Sequence, residues 1–223
     1  MKLKKIASLM LAGVMAVSML AGCGEGSSSS SEPTTPPVTT TGLAAALNNA
    51  RTDYAKNALK LTYEESSSLA EILSTAAHGE LDKNPADIKQ IAGTNCFGVP
   101  NWDSNCITST DYSLNMKNKI AEKLTGGVEG WHGSSLPTKN GEYNYARVYL
   151  IGGNWSIEEA AIKISDGNLN KLEVNQWLPM NHGSKTATYT ADVAAVKVTS
   201  ADDASVSLWV VAVVYTQTVS DAK

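Results

Sequence analysis

The chain has 223 residues but only 3 cysteines, 3 histidines and a single phenylalanine. Three cysteines are too few for a small scaffold built from disulfides. The histidines form no His-Glu-x-x-His pattern, so the sequence shows no zinc motif and we expect no metal. A Gly-x-Ser-x-Gly nucleophile elbow and a phosphate-binding loop are also absent, and no cofactor is expected.

Acidic residues are missing from residues 1–22, although the whole chain carries a formal charge of −4. Three of its 18 basic residues lie in that segment, which leaves 15 against 22 acidic residues, a formal −7, in the remainder. An acidic surface repels phosphate backbones. The charge pattern therefore argues against a nucleic-acid partner.

Residues 1–22 have the layout of a secretory signal, with a basic start, an uncharged apolar stretch and small residues at its end. The apolar stretch is at the short end for a transmembrane helix. Residues 20–23 read Leu-Ala-Gly-Cys, which resembles the lipobox of bacterial lipoproteins. The resemblance implies that Cys23 becomes the mature N-terminus and carries a diacylglycerol, and two acyl chains anchor a protein stably. We therefore expect localisation at the extracytoplasmic face of the cell membrane.

Behind the lipidated cysteine, residues 23–42 form a linker rich in serine, threonine and proline. Such a segment has almost nothing to bury and should be disordered. It would span roughly 25 Å as a coil and up to about 60 Å if extended. The folded part should therefore stay close to the membrane.

Residues 43–223 are long enough for one core and contain no internal repeat. Helical spacing covers residues 43–58, a capping box at residues 62–65 should begin a second helix, and another box opens at Ser156. Strand alternation appears over residues 143–151.

Two long β-rich runs, 186–198 and 206–218, flank a polar loop at residues 199–205 and predict a C-terminal antiparallel hairpin. The continuously apolar run 209–214 predicts a central strand that is covered on both faces. The order of elements predicts an α+β domain, a layered α-β-α sandwich with helices first.

Several short sequence motifs, in this order along the chain, resemble those of the CAP superfamily. That superfamily includes cysteine-rich secretory proteins, antigen 5 and plant pathogenesis-related proteins. Residues 47–51 read LNNAR and look like its opening Leu-Asn-x-x-Arg. Residues 156–160 read SIEEA and look like the start of its later helix, while residues 209–211 (WVV) look like its final hairpin. The resemblance runs over most of residues 43–218.

The resemblance also implies a cleft with two histidines and two acidic residues, which in some members bind a metal. His78 lies near the position of the first histidine, but the position of one acidic residue holds Arg147, and Glu142 comes several residues early. No histidine occupies the second position, in residues 166–170. An added positive charge and a missing imidazole would weaken a cation site. We therefore expect the ancestral chemistry to be lost and Arg147 to pair with Glu142 or Glu158.

Cys96 and Cys106 lie in one irregular stretch of a chain that should be exported. A pair of this kind most often forms a disulfide, and we predict one here. The alternative is a redox or metal-binding pair, although the spacing is not Cys-x-x-Cys.

Together these patterns favour a membrane-tethered, non-enzymatic binding or scaffold domain whose partner is the cell wall or another surface protein. The alternative is a divergent extracytoplasmic hydrolase. Such an enzyme would use His78 or His132 with Glu142 or Glu129, of which His78 and Glu142 are the first candidates.

Overall fold

The computed structural model describes residues 42–83, 88–89, 92, 111–125, 135–169 and 178–222. All of them belong to one unit, Pro37–Lys223. The predictions for the signal segment, Cys23, the linker before Gly42 and the Cys96–Cys106 pair lie outside the described residues.

Five α-helices and five β-strands make up the described part of the chain. The helices are α1 (Leu43–Ala50), α2 (Asp53–Ala58), α3 (Ser67–Leu81), α4 (Asp111–Thr125) and α5 (Ile157–Ile164), and α5 continues into a π-helical turn, Ser165–Leu169. The strands are β1 (Tyr63–Glu65), β2 (Gly141–Gly152), β3 (Asn181–His182), β4 (Lys185–Ser200) and β5 (Asp203–Asp221).

The strands form one mixed sheet in the order β1-β4-β5-β2, and β3 pairs with the start of β4. β1 runs parallel to β4, and the other pairs are antiparallel. The predicted C-terminal hairpin is confirmed as β4–β5, and β5 is central, between β4 and β2. Trp209 is itself only half-buried, whereas Val210–Val213 are fully covered.

Helices cover both faces of this sheet, which confirms the predicted α+β layering. Successive strand residues point to opposite faces, so Val193 and Ala195 pack with α1 and α5 while Ala194 and Val196 pack with α3 and α4. We call the first layer the tyrosine side, because it buries four tyrosines, Tyr63, Tyr149, Tyr189 and Tyr215. The second layer is the aliphatic side, whose hydrophobic core cluster consists of leucine, isoleucine, valine and alanine.

The helix predicted over residues 43–58 is broken at Arg51 and Thr52. Arg51 is extended, with ψ of 132°, and the Thr52 side chain caps α2 by accepting from the Ala55 amide at 3.1 Å. The Arg51 guanidinium is buried and donates to the carbonyls of Leu59 and Leu61. The break therefore turns an arginine inward to satisfy carbonyls that no helix or strand ladder uses.

Two local predictions from capping and turn patterns were wrong, and one is confirmed. Residues 62–65 do not cap a helix, because Tyr63–Glu65 pair with β4, and the N-cap of α3 is Ser66. The predicted loop 199–205 is mostly strand, with a short turn between Ser200 and Asp203. The capping box at Ser156 is confirmed by reciprocal bonds with Glu159 at 3.1 and 3.0 Å.

Candidate functional site

His78, the first catalytic candidate from the sequence, lies in the last turn of α3. Its ring Nδ1 is 3.1 and 3.2 Å from the two carboxylate oxygens of Asp82, one turn further on. Its Nε2 is buried and has no hydrogen-bond partner among the described residues. The recorded partner of His78 is thus a local helix-end carboxylate and not Glu142.

Glu142 and Arg147 both lie on β2, but the predicted ion pair between them is wrong. They are five residues apart on a strand, so their side chains leave opposite faces of the sheet. Glu142 is exposed at the start of the strand, and Arg147 is half-buried near its middle. Glu158 does not pair with Arg147 either, as its carboxyl group lies beside Gly42 at the start of α1. Within the described ranges no ion pair joins Arg147 to either glutamate.

Arg147 instead lies over the ring of Tyr145 and within electrostatic range of a second cation, Lys117. Its guanidinium carbon lies 5.2 Å from the ring centre of Tyr145, within range of a cation–π contact. Burial, with a smaller contribution from Arg147, lowers the pKa of Lys117 on α4 to about 8. Burial also raises the pKa values of Tyr145 and Tyr149. The position that the CAP resemblance assigns to an acidic ligand is therefore a cationic, tyrosine-lined one, which repels a metal ion.

The other candidates from the sequence lie outside the described residues. These are His132, Glu129, Asn170, Cys23, Cys96 and Cys106. In the part of the chain that the structure describes, no three histidine, cysteine or acidic side chains are grouped so that they could hold a metal ion. His182, the remaining described histidine, is exposed in the short strand β3.

An open cavity of about 690 Å³ lies at the opposite end of the sheet from β3, beside the β4–β5 turn. We call it the hairpin groove. Its walls come from the end of β4, the start of β5, the turn after β2 and the segment that follows α3. Its lining residues are Lys89, Ala92, Gly153, Asn154, Lys197, Thr199, Ala204, Ser205, Val206 and Ser207.

A hydrogen-bonded turn shapes the outer wall of the groove. The Asp203 carboxylate accepts from the Ser205 hydroxyl at 2.6 Å and from the Ser205 amide at 3.1 Å. These bonds lower the pKa of Asp203, and Lys89, whose Nζ is 3.8 Å from the carboxylate, adds a smaller effect. The turn therefore places Lys89, which follows α3 in the chain, against the tip of the hairpin.

The inner wall rests on a lysine held over an indole. Lys197 Nζ lies 5.4 Å from the ring centre of Trp209, its cross-strand partner on β5. The Trp209 indole N–H donates to the Trp155 carbonyl at 3.0 Å, which fixes the ring. This cation–π contact holds the Lys197 side chain at the wall of the groove, which Lys197 lines.

Gly153 allows the turn after β2 to approach the hairpin closely. Its amide donates to the Ser207 carbonyl at 2.7 Å. A Cβ at this position would lie 2.1 Å from the Ser207 hydroxyl and 2.7 Å from its carbonyl oxygen. A glycine is therefore required to close this wall of the groove.

The groove presents ammonium, hydroxyl and amide groups and no carboxylate among its lining residues. This set can bind a polar ligand but offers no paired acid and base for catalysis. The sequence alone does not reveal the groove, because its lining residues come from four separate segments of the chain. The available signals were the polar run 199–205 at the hairpin and a lone lysine, Lys197, within an apolar strand.

Comparisons with known proteins add no relative: no family model, no curated protein and no solved structure matches this chain. The resemblance to the CAP superfamily stays a prediction. Within the described ranges, none of the helices has the length and apolar character that a membrane crossing would need.

Proposed function

We propose that this chain is a membrane-tethered extracytoplasmic lipoprotein, anchored through Cys23, whose folded domain is a binding or scaffold module at the cell surface. The basic start, the apolar stretch and the Leu-Ala-Gly-Cys motif of residues 20–23 support the anchor. The linker of residues 23–42 supports a domain held near the membrane. The partner is then part of the cell wall or another surface protein.

The observation that carries the binding role is the hairpin groove. It is an open cavity with lysine, hydroxyl and amide side chains in its lining, four chain segments build it together, and close backbone approach at Gly153 shapes it. The described residues named as catalytic candidates, His78 and Glu142, lie elsewhere and have no recorded contact with each other. A preformed cavity away from the described acid and base candidates fits a binding module better than a hydrolase.

Replacing Cys23 by alanine tests the anchor. The Cys23→Ala variant should lose palmitate labelling and appear in a soluble or unprocessed form, because the acyl acceptor is gone. Cys96→Ala/Cys106→Ala is the matched control, since it removes both cysteines outside the lipobox and leaves no unpaired partner, and it should stay labelled and membrane-bound. Processed Cys23→Ala protein that still carries palmitate and stays on the membrane would contradict lipidation at this residue.

Filling the groove tests the binding role. Thr199→Trp places a large ring in the cavity, and Thr188→Trp places the same ring on the same strand at an exposed position away from it. In pulldowns from crosslinked cells, the groove variant should lose the captured envelope material while the control keeps it. Equal capture by both variants would show that the groove is not the binding surface.

The hydrolase alternative predicts a different pattern. His78→Ala and Glu142→Gln should leave capture unchanged if the domain is a binding module. If either variant instead traps or accumulates an envelope substrate that the unmodified chain turns over, the enzyme hypothesis takes first place.

A further inference from the structure

We infer that the hairpin groove binds an anionic, hydroxyl-rich ligand, a sugar or polyol that bears a phosphate or carboxylate group. This inference rests on the proposed function, because it names the ligand class of the same groove.

The charge of the groove opposes that of the chain. Lys89 and Lys197 contribute two cations to the lining, and no acidic residue is among the described residues that line it, although the whole chain has a formal charge of −4. A concave site concentrates the field of such charges and attracts ions of the opposite sign. Lysine ammonium groups donate hydrogen bonds only, and phosphate and carboxylate groups accept them.

The uncharged lining groups suit hydroxyls. Thr199, Ser207 and Asn154 line the cavity, and the hydroxyl and amide side chains of these residues both donate and accept hydrogen bonds. The Ser205 hydroxyl donates to Asp203, which leaves its lone pairs to accept from a ligand. Groups that both donate and accept match the hydroxyls of a sugar, which do the same.

One carboxylate, that of Asp203, lies beside the groove without lining it. It is already engaged by two bonds from Ser205, and its distance of 3.8 Å to Lys89 Nζ is long for an ion pair. Both of these side chains are partly exposed, where such pairs are weak. Lys89 can therefore turn to a ligand oxyanion at little cost.

Other ligand classes fit less well. A metal ion needs oxygen or nitrogen donors with negative charge, and the lining supplies two positive charges instead. A flat apolar ring would need an open aromatic face, but Lys197 lies over the Trp209 ring. The lysines, hydroxyls and amide together point to an anionic polyol.

The test uses the full-length chain in detergent micelles and three sugars of similar size: glucose 6-phosphate, glucuronate and glucose. Ligand-observed NMR titrations give a dissociation constant for each. We expect at least one charged sugar to bind about tenfold or more tightly than glucose at low salt, and this advantage to shrink as salt screens the lysines. The phosphate and carboxylate probes show which acid group the groove prefers.

Charge removal locates the site. The double variant Lys89→Met/Lys197→Met keeps most of each aliphatic stem but removes both ammonium groups, and it should lose the advantage of the charged sugar. Lys60→Met/Lys163→Met removes two exposed cations that do not line the groove, and it should behave like the unmodified chain.

Three results would overturn the ligand class. They are equal affinity for glucose and the charged sugars, no binding of any sugar, and an equal loss of the charged sugar's affinity advantage in both double variants. If the charged sugars fail while Thr199→Trp still abolishes capture from cells, the ligand class alone is wrong. If Thr199→Trp also leaves capture from cells intact, the proposed binding function of the groove is wrong as well.

Discussion

The two sides of the sheet are built on different principles. On the tyrosine side the Tyr63 and Tyr215 hydroxyls lie 3.1 Å apart, and Gln217 donates to the Tyr189 hydroxyl at 2.6 Å. The Tyr189 hydroxyl in turn donates to the Pro179 carbonyl at 2.6 Å. The core cluster of the aliphatic side contains no tyrosine, and the polar side chains of Ser74 on α3 and Lys117 on α4 are buried beside it. The core cluster of the tyrosine side therefore joins strands through side-chain hydrogen bonds, whereas that of the aliphatic side is held by packing alone.

The two sides therefore contribute differently to the choice of strand arrangement and to the free energy of folding. The Tyr63–Tyr215 contact joins residues 152 positions apart, and it ties the parallel edge strand β1 to the central strand β5. Burial raises the pKa of Tyr189 to about 12, an effect that the bond from Gln217 reduces. Polar contacts of this kind select one arrangement of strands, while aliphatic packing supplies most of the free energy of folding.

The largest expected effect comes from emptying the aliphatic side. Leu73→Ala should lower the free energy of unfolding by about 2–5 kcal/mol, because Leu73 is fully buried and its loss leaves a cavity. Ile72→Ala is the matched control on the same helix, where the side chain is 41% exposed, and it should cost about 1 kcal/mol or less. Chemical denaturation measures both. Similar losses in the two variants would show that α3 does not pack on the sheet as described.

A buried cation of α4 should make stability depend on pH. The pKa of Lys117 is lowered to about 8 in the folded chain, so above that pH the folded amine is neutral while the unfolded one still binds a proton. The free energy of unfolding should therefore rise between about pH 8 and pH 10, by up to about 3 kcal/mol relative to Lys117→Met.

Lys119→Met is the control for this pH effect, since Lys119 is exposed on the same helix. Its stability should follow the pH profile of the unmodified chain. Denaturation midpoints at matched pH values measure the difference. Parallel profiles for Lys117→Met and the unmodified chain would contradict the lowered pKa.

A change that keeps volume should still destabilise the tyrosine side. Tyr189→Phe removes the hydroxyl between Gln217 and the Pro179 carbonyl, and it should cost about 1–3 kcal/mol because buried polar groups lose a partner. Tyr54→Phe makes the same change where the side chain is 68% exposed and should be nearly neutral. Thermal unfolding of Tyr189→Phe and Tyr54→Phe measures the two losses of stability. If Tyr189→Phe is as stable as the unmodified chain, hydrogen bonds do not distinguish the two sides.

The smallest expected effect concerns the long-range tyrosine pair. Tyr215→Phe removes one of two facing hydroxyls, keeps the edge-to-face ring contact at 6.3 Å, and should cost about 1 kcal/mol. Hydrogen exchange of the β1 amides should speed up more than that of the β4–β5 hairpin. Uniform acceleration across the sheet would argue against a local role in holding β1.

The α+β layering could be predicted because the spacing of apolar residues along the sequence differs between strands and helices. The long hairpin and the capping box at Ser156 were recognised on that basis. The helix start predicted at residues 62–65 was wrong, because the same residue pattern also fits a short edge strand. Pairing with β4 makes Tyr63–Glu65 a strand.

The site was harder to predict than the fold. Strand alternation alone separates Glu142 from Arg147, and the pairing predicted for them ignored it. The hairpin groove needs Lys89, Asn154 and the hairpin residues together, and only the folded chain brings these segments to one place. A local motif cannot report a cavity whose walls are distant in sequence.

The central claim is that a tethered domain binds its partner through the hairpin groove. In-cell photocrosslinking tests it directly, with Thr199 or Thr188 replaced by photoreactive p-benzoylphenylalanine in the chain that retains Cys23. The account predicts a crosslinked envelope adduct in the membrane fraction from position 199 and none from position 188. Adducts from both positions alike, or from position 188 alone, would contradict it.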